Sequence, residues 1–244
     1  MAFNTLKDGP WQDPIIRRAI ALWINKREAI PLVLNGFGWT TPDLGPKNLP
    51  VQRHFTNWPK FDLGNTETKK DQAIQLMEIA GYPDGFSMGH LCRSLNPTPC
   101  EFLKDQLEGL GVELILNMVD EGEWGRGRIS LDYDSQQGRL TPSPIPEGTQ
   151  SVYGRYINNP DSYAKHDDIE VDNLYTLLEN ALTLDRRVEI WRDIEKYLFV
   201  DKTYIIPIAE SINVIPYRSY VKGLAIPVED AHTNTDFTTV WIDK

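Results

Sequence analysis

Phe86-Ser87-Met88-Gly89-His90-Leu91-Cys92, then Asn96-Pro97-Thr98, then a helical run to Leu110, then Gly111-Val112-Glu113-Leu114-Ile115-Leu116: this stretch decides the fold. The first segment reads as a strand. The Asn-Pro-Thr turn opens a helix that places Leu103, Leu107 and Leu110 on one face. Gly111 ends that helix, and Val112 to Leu116 reads as the next strand. A strand, a helix and a strand in direct succession form a βαβ unit, which requires parallel pairing and a right-handed crossover. The chain is therefore expected to be α/β, with a mixed sheet flanked by helices.

Upstream, a helix is predicted from Thr66 to Ala80, burying Ala73, Ile74, Met77 and Ala80. Gly81 stops it, and Pro83 with Asp84-Gly85 turns the chain into the first strand. Further back, Asp13-Pro14 has the N-cap and N1 chemistry of a helix start. Ile16, Ala19, Ile20, Trp23 and Ile24 then line one face. Phe3 to Leu6 is strand-like. Residues 36–65 and 138–160 are rich in Gly and Pro and read as long loops, which in compact domains are often functional.

Downstream, Glu121 to Arg128 is a short helix and Ile129 to Tyr133 a strand. A helix from Asp168 to Leu182 buries Leu174, Leu177, Leu178, Ala181 and Leu182. Asp185 caps another, which buries Ile190, Trp191, Ile194, Tyr197 and Leu198. Tyr204 to Ile208 is a short apolar strand.

The net charge of −10 and the lack of any basic run argue against a nucleic-acid partner. No apolar stretch approaches the roughly 18–20 residues of a membrane span. The opening Met1-Ala2-Phe3-Asn4 lacks the basic start and apolar core of a signal peptide. Seven Trp and ten Tyr suit cores, and equally suit pockets that grip small organic ligands. Cys92 and Cys100 fit no zinc pattern; a disulfide and two separate buried thiols are both open.

No nucleotide-phosphate loop, HExxH or GxSxG is present, and no cofactor is implied. His54, His90, His166 and His232 are scattered, so no metal site is expected. His166-Asp167-Asp168 reads as an acidic helix start. Asp120, Glu121 and Glu123 beside Trp124 could mimic a glycosidase carboxylate pair, and a solvated helix start is the simpler reading.

Several segments, in order, resemble solute-binding protein family 5, the oligopeptide, dipeptide and nickel receptors of ABC importers. Asp13 to Lys26 resembles that family's "D-x-R-V-R-x-A-[IL]-x-x-A-I-D-R" helix. Ala80-Gly81-Tyr82-Pro83-Asp84-Gly85-Phe86 matches its "A-G-Y-P-D-G-F" stretch. Leu107 with Leu110-Gly111-Val112, Val171-Asp172-Asn173-Leu174, Asp185-Arg186-Arg187, Ile206-Pro207-Ile208 and Val221-Lys222-Gly223-Leu224 follow in family order.

The resemblance implies one lobe of a periplasmic-binding-protein-like type II fold. Residues 1–203 would be the second ligand-binding lobe. Residues 204–244 would be an inter-lobe strand and a tail returning to a missing N-terminal lobe. Phe3 to Leu6 and Tyr204 to Ile208 would be inter-lobe strands without their partner. The implied partners are a small-molecule or peptide ligand, the missing lobe and an ABC permease. The fragment would expose apolar surface and self-associate. The implied location of the intact receptor is the periplasm or, lipid-anchored, the cell surface.

In peptide-binding members an Arg before an Asn-Pro can hold the ligand carboxylate, and Arg93 precedes Asn96-Pro97 in that way. Those members also carry "G-W-x-x-D" in the later loop, the Asp gripping a peptide amine. Here Gly138-Arg139-Leu140-Thr141-Pro142 lacks both Trp and Asp, which favours an acidic or neutral solute. The candidate ligand-binding residues are Arg93, Asn96, Arg139, Trp39, Trp124 and Tyr153, with Tyr156 nearby. The alternatives are a carbohydrate-active hydrolase using paired carboxylates and a protein-interaction module with no small ligand.

Overall fold

The computed structural model describes residues 1–40, 67–138, 157–158, 162–211, 216–224 and 237–243. At its centre, β3 (Phe86–Arg93) and β4 (Val112–Val119) run parallel, from Phe86 opposite Val112 to Arg93 opposite Val119. Helix α4 (Thr98–Glu108) makes the crossover. On the other side of β3 lies β5 (Ser135–Gln136), also parallel, and β1 (Ala2–Phe3) pairs antiparallel with β5. The sheet order β1-β5-β3-β4 is thus mixed, as expected.

The Gly-Tyr-Pro-Asp-Gly segment has a plain physical basis. Gly81 is left-handed (φ 84°) after α3 (Glu67–Ile79), and the Gly81 and Tyr82 N–H groups return to the Glu78 and Met77 carbonyls. Gly85 and Gly111 are both left-handed, where β3 and β4 begin side by side. A Cβ on Gly85 would lie 1.8 Å from the Gly111 carbonyl oxygen, so no side chain fits there.

One core lies between this sheet and the helices α1 (Pro14–Trp23), α3 and α4. It joins Ile16, Ile20 and Trp23 to Met77, Leu103, Leu107 and strand residues Met88, Val112 and Leu114. Asp13 caps α1 through the Ile15 N–H, with Pro14 at N1, as the sequence predicts. A second core surrounds α6 (Ile169–Glu179) and α7 (Leu184–Lys196), with Val171, Leu178, Ile190, Trp191 and Leu198 at its centre. The last turn of α7 widens into a π-helix, Tyr197–Asp201.

Several expectations need correction. Residues 129–133 do not form a strand. Helix α5 (Glu121–Ser130) runs through Ile129, Leu131 turns left-handed to end it, and β5 begins only at Ser135. Thr183, not Asp185, caps α7, through the Arg186 N–H. Leu177 and Leu182 are exposed, and so is Ile74 on α3, because those helices pack through a narrower stripe than their apolar residues suggest.

The segments expected as unpartnered inter-lobe strands pair with each other through residues 1–3 and 204–206. Phe3 N–H donates to the Tyr204 carbonyl (3.0 Å) and Ile206 N–H to that of Met1 (2.8 Å). Phe3, Tyr204, Ile205 and Ile206 are all buried.

A polar seam joins the two cores. Arg17, buried on α1, donates to the carbonyls of Trp11 (2.7 Å), Gln12 (2.8 Å), Lys202 (2.6 and 2.9 Å) and Thr203 (3.2 Å). Its guanidinium also sits 4.9 Å from the Tyr204 ring centroid. Burial lowers its pKa to about 10, so it remains a cation at neutral pH. Asn4, also buried, donates to the carbonyls of Leu131 and Tyr133.

Candidate functional site

Parallel strands place ligands beyond their carboxyl ends, where loops leave the sheet. Arg93 is the last residue of β3, and Asp120 follows the end of β4. The two ends are tied by the Ser94 N–H donating to the Val119 carbonyl at 2.8 Å. Asp120 caps α5 through the Glu123 N–H, and so fixes Glu121 as the first helical residue.

Arg93 and Glu121 meet across this end of the sheet as a two-point ion pair. Arg93 Nε donates to Glu121 Oε1 at 2.7 Å, and Nη2 donates to Oε2. The guanidinium lies 5.1 Å from the Trp124 ring centroid. Arg128, one helical turn beyond Trp124, places its guanidinium 5.2 Å from the same ring and 5.0 Å from that of Tyr163. Trp124 and Tyr163 themselves pack 6.0 Å apart. Trp124 is buried with Leu91 and Tyr133, so it is a platform beneath the cation.

The loop from β3 to α4 is braced at its base. Cys92 and Cys100 form a disulfide, which resolves the question the sequence left open. Gln137 Oε1 accepts from the Arg93 N–H (3.1 Å), and its Nε2 donates to the Asn96 carbonyl (3.2 Å). Asn96 itself is exposed at the loop tip. Arg93, Asn96 and Trp124 therefore come together at one end of the sheet. Trp39 lies elsewhere, in β2 (Gly38–Trp39), which pairs antiparallel with β6 (Glu210–Ser211) in a separate ribbon. Arg139, Tyr153 and Tyr156 lie outside the described residues.

The acids near Trp124 do not form a facing pair. One oxygen of Asp120 caps the helix, and Glu121 holds Arg93. His90 lies within 4.8 Å of both cysteine sulfurs, but those sulfurs are bonded to each other. His90 Nδ1 contacts Ser135 Oγ at 2.8 Å, and burial pushes the imidazole down to about 3. His166 stacks on Tyr204 in the second core.

Sequence reasoning missed the partnership of Glu121 with Arg93, and the roles of Arg128, Tyr163 and Gln137. The spacing of Trp124 and Arg128 was a usable signal, since residues four apart share a helix face. Nothing local marked Gln137.

The family "Bacterial extracellular solute-binding proteins, family 5 Middle" matches residues 1–161. The chain belongs to this family. The peptide transport periplasmic protein SapA of Salmonella typhimurium is 23% identical over 233 residues, covering 93% of this chain and 41% of SapA. The Escherichia coli murein tripeptide binding protein MppA superposes with a TM-score of 0.77 at 20% identity, over 99% of this chain and 47% of MppA. DppA from Helicobacter pylori, in complex with the peptide STSA, gives 0.73 at 19% identity, over 100% of this chain and 46% of DppA. The fold is that of these periplasmic binding proteins, and the chain spans less than half the length of each.

Proposed function

We propose that this chain is one ligand-binding lobe of the extracytoplasmic receptor of an ABC importer, and that it captures a small solute carrying a carboxylate. The observation that carries this reading is the Arg93 fork at the carboxyl end of β3, on a loop closed by the Cys92–Cys100 disulfide and set over Trp124. Family membership supports the transport role. The names of SapA and of the DppA–peptide complex support peptide-like solutes. Lobe closure around the ligand would present the closed form to a membrane permease. The receptor would work in the periplasm or at the cell surface, as a binding protein and not an enzyme. Asn96 and, beyond the described residues, Arg139 and Tyr153 would line the ligand cleft.

The remainder of the receptor would supply the other jaw. The ribbon of β7 (Val221–Lys222) and β8 (Trp241–Ile242) exposes Trp241 and Ile242, with Tyr220 and Phe237 beside it. Such a surface suits burial against the missing lobe and would make the isolated chain self-associate. The passage toward that lobe would begin after Ile206, since Tyr204 to Ile206 are packed into the cores described above.

A thermal-shift screen of the receptor carrying this lobe, against peptides, sugars and organic acids, tests the function. Stabilisation by peptides or other carboxylates, lost in Arg93→Ala, is expected. Stabilisation by neutral sugars alone would contradict it.

A further inference from the structure

We propose that the chain holds a second, redox-gated site: with the Cys92–Cys100 disulfide reduced, His90, Cys92 and Cys100 bind one zinc ion.

The fold assembles this donor set from two elements. His90 and Cys92 are two residues apart on β3, so their side chains leave the same face of the strand. Cys100, in the first turn of α4, meets Cys92 there. A ring nitrogen of His90 and the two sulfurs lie within 4.8 Å of one another, and all three residues are buried out of reach of solvent.

His90 points to a ligand. Ser135 Oγ lies 2.8 Å from His90 Nδ1, and donates its own proton to the Gly89 carbonyl at 3.3 Å. Nδ1 must then be the donor to Ser135, which leaves the lone pair on Nε2. Nε2 is buried without a hydrogen-bond partner. A buried acceptor left unserved is costly. An imidazole fixed through one nitrogen, with the lone pair of the other on offer, is the arrangement of a metal-ligating histidine.

Opening the disulfide completes the set. A dithiol supplies two electrons and two protons: the Cys92–Cys100 bond breaks, two thiols form, and the dithiol leaves as its own disulfide. Zinc then displaces the two thiol protons and takes both thiolates together with His90 Nε2. Two sulfurs on one zinc stand about 3.8 Å apart, given tetrahedral Zn–S bonds of about 2.3 Å. Cα atoms 6.3 Å apart leave room for that separation. Gln137 Oε1, 3.6 Å from Cys100 Sγ, is placed to be the fourth ligand. Two thiolates and a divalent ion sum to zero charge, which suits a buried site; monovalent copper would leave a net negative charge there. Entry is by the exposed turn from Ser94 to Asn96, between the two cysteines.

The test uses the whole chain, reduced with tris(carboxyethyl)phosphine (which ends as its oxide) and desalted without oxygen, beside the oxidised chain. Calorimetric titration with zinc chloride should show one equivalent more in the reduced chain, at a Kd of about 1 µM or tighter. Cobalt(II) in place of zinc should give thiolate-to-cobalt charge transfer only after reduction. His90→Gln keeps both cysteines and should weaken zinc at least about a hundredfold; Ser135→Ala should weaken it about tenfold. Circular dichroism of each oxidised variant, its disulfide intact, checks that the substitution leaves the fold in place. Equal zinc uptake by reduced and oxidised wild type overturns the site, and so does a reduced-state affinity unchanged in His90→Gln. A reduced wild-type chain that loses its circular-dichroism signal overturns it too, because the donors are then no longer held together.

Discussion

Leu107 and Arg17 are both buried out of reach of solvent, yet they hold their surroundings together by opposite means. Leu107 sits in the core between α4 and the parallel strands, among Leu103, Met88 and Val112. There the stabilisation is area removed from water plus a regular ladder. Arg17 sits in the seam between residues 1–17 and the chain around 197–206, and satisfies four backbone carbonyls that no helix or strand serves. The apolar region degrades gradually when atoms are removed. The seam fails more abruptly, because losing the donors strands the buried carbonyls of Trp11 and Thr203.

Replacing Arg17 should therefore cost the most. Arg17→Met keeps the length of the stem but strands the carbonyls of Trp11, Gln12, Lys202 and Thr203. Urea unfolding should show a loss of about 4 kcal/mol. A loss under ~1 kcal/mol would mean that solvent reaches the seam.

Leu107→Ala should cost about 3 kcal/mol by the same measurement, through lost transfer energy and a residual cavity. Its effect should add to that of Arg17→Met, since the two side chains share no partner.

The smaller effects separate the two regions by pH. His90, on β3, has its folded pKa pushed down by burial from 6.5 to about 3. Between those values the unfolded chain binds the proton and the folded chain does not, so stability falls as pH drops from about 6.5 towards 3. A His90→Leu variant should flatten the melting temperature across that window.

Asp168, the N-cap of α6, behaves differently. Burial alone would raise its carboxyl. Hydrogen bonds from the Tyr197 and Tyr204 hydroxyls and the Glu170 N–H, with Lys202 nearby, outweigh that and hold it below 3.8. Its contribution is present above 3.8 and is lost as pH falls through its lower folded value. Asp168→Asn keeps a capping side chain and should cost no more than ~1 kcal/mol at neutral pH, a difference that vanishes in acid.

The same contrast explains what the sequence could and could not reveal. The β3–α4–β4 unit was legible because its signals are local. Leucines recur at helical spacing, and Gly85 and Gly111 mark the two strand starts. The seam was not legible. Arg17 lay inside a recognised helix motif, but its acceptors at Lys202 and Thr203 are nearly two hundred residues away. Strand β5 is two residues long and carries no periodicity, so it was placed too early. At the site, Arg93 could be singled out from its place before Asn-Pro. Its pairing with Glu121 depends on β3 and β4 being parallel neighbours in that register, which residue types alone do not fix.

The proposed ligand face lies at the carboxyl ends of β3 and β4. If the chain is one of two jaws, as proposed above, it would enclose only part of a ligand, so binding should be weak and suited to NMR. The most direct measurement is a map of backbone amide shifts as dialanine is titrated into the chain. Shifts should concentrate at Arg93 to Asn96 and at Glu121 to Trp124. Shifts gathered instead around α6 and α7, or none at ~20 mM ligand, would contradict it.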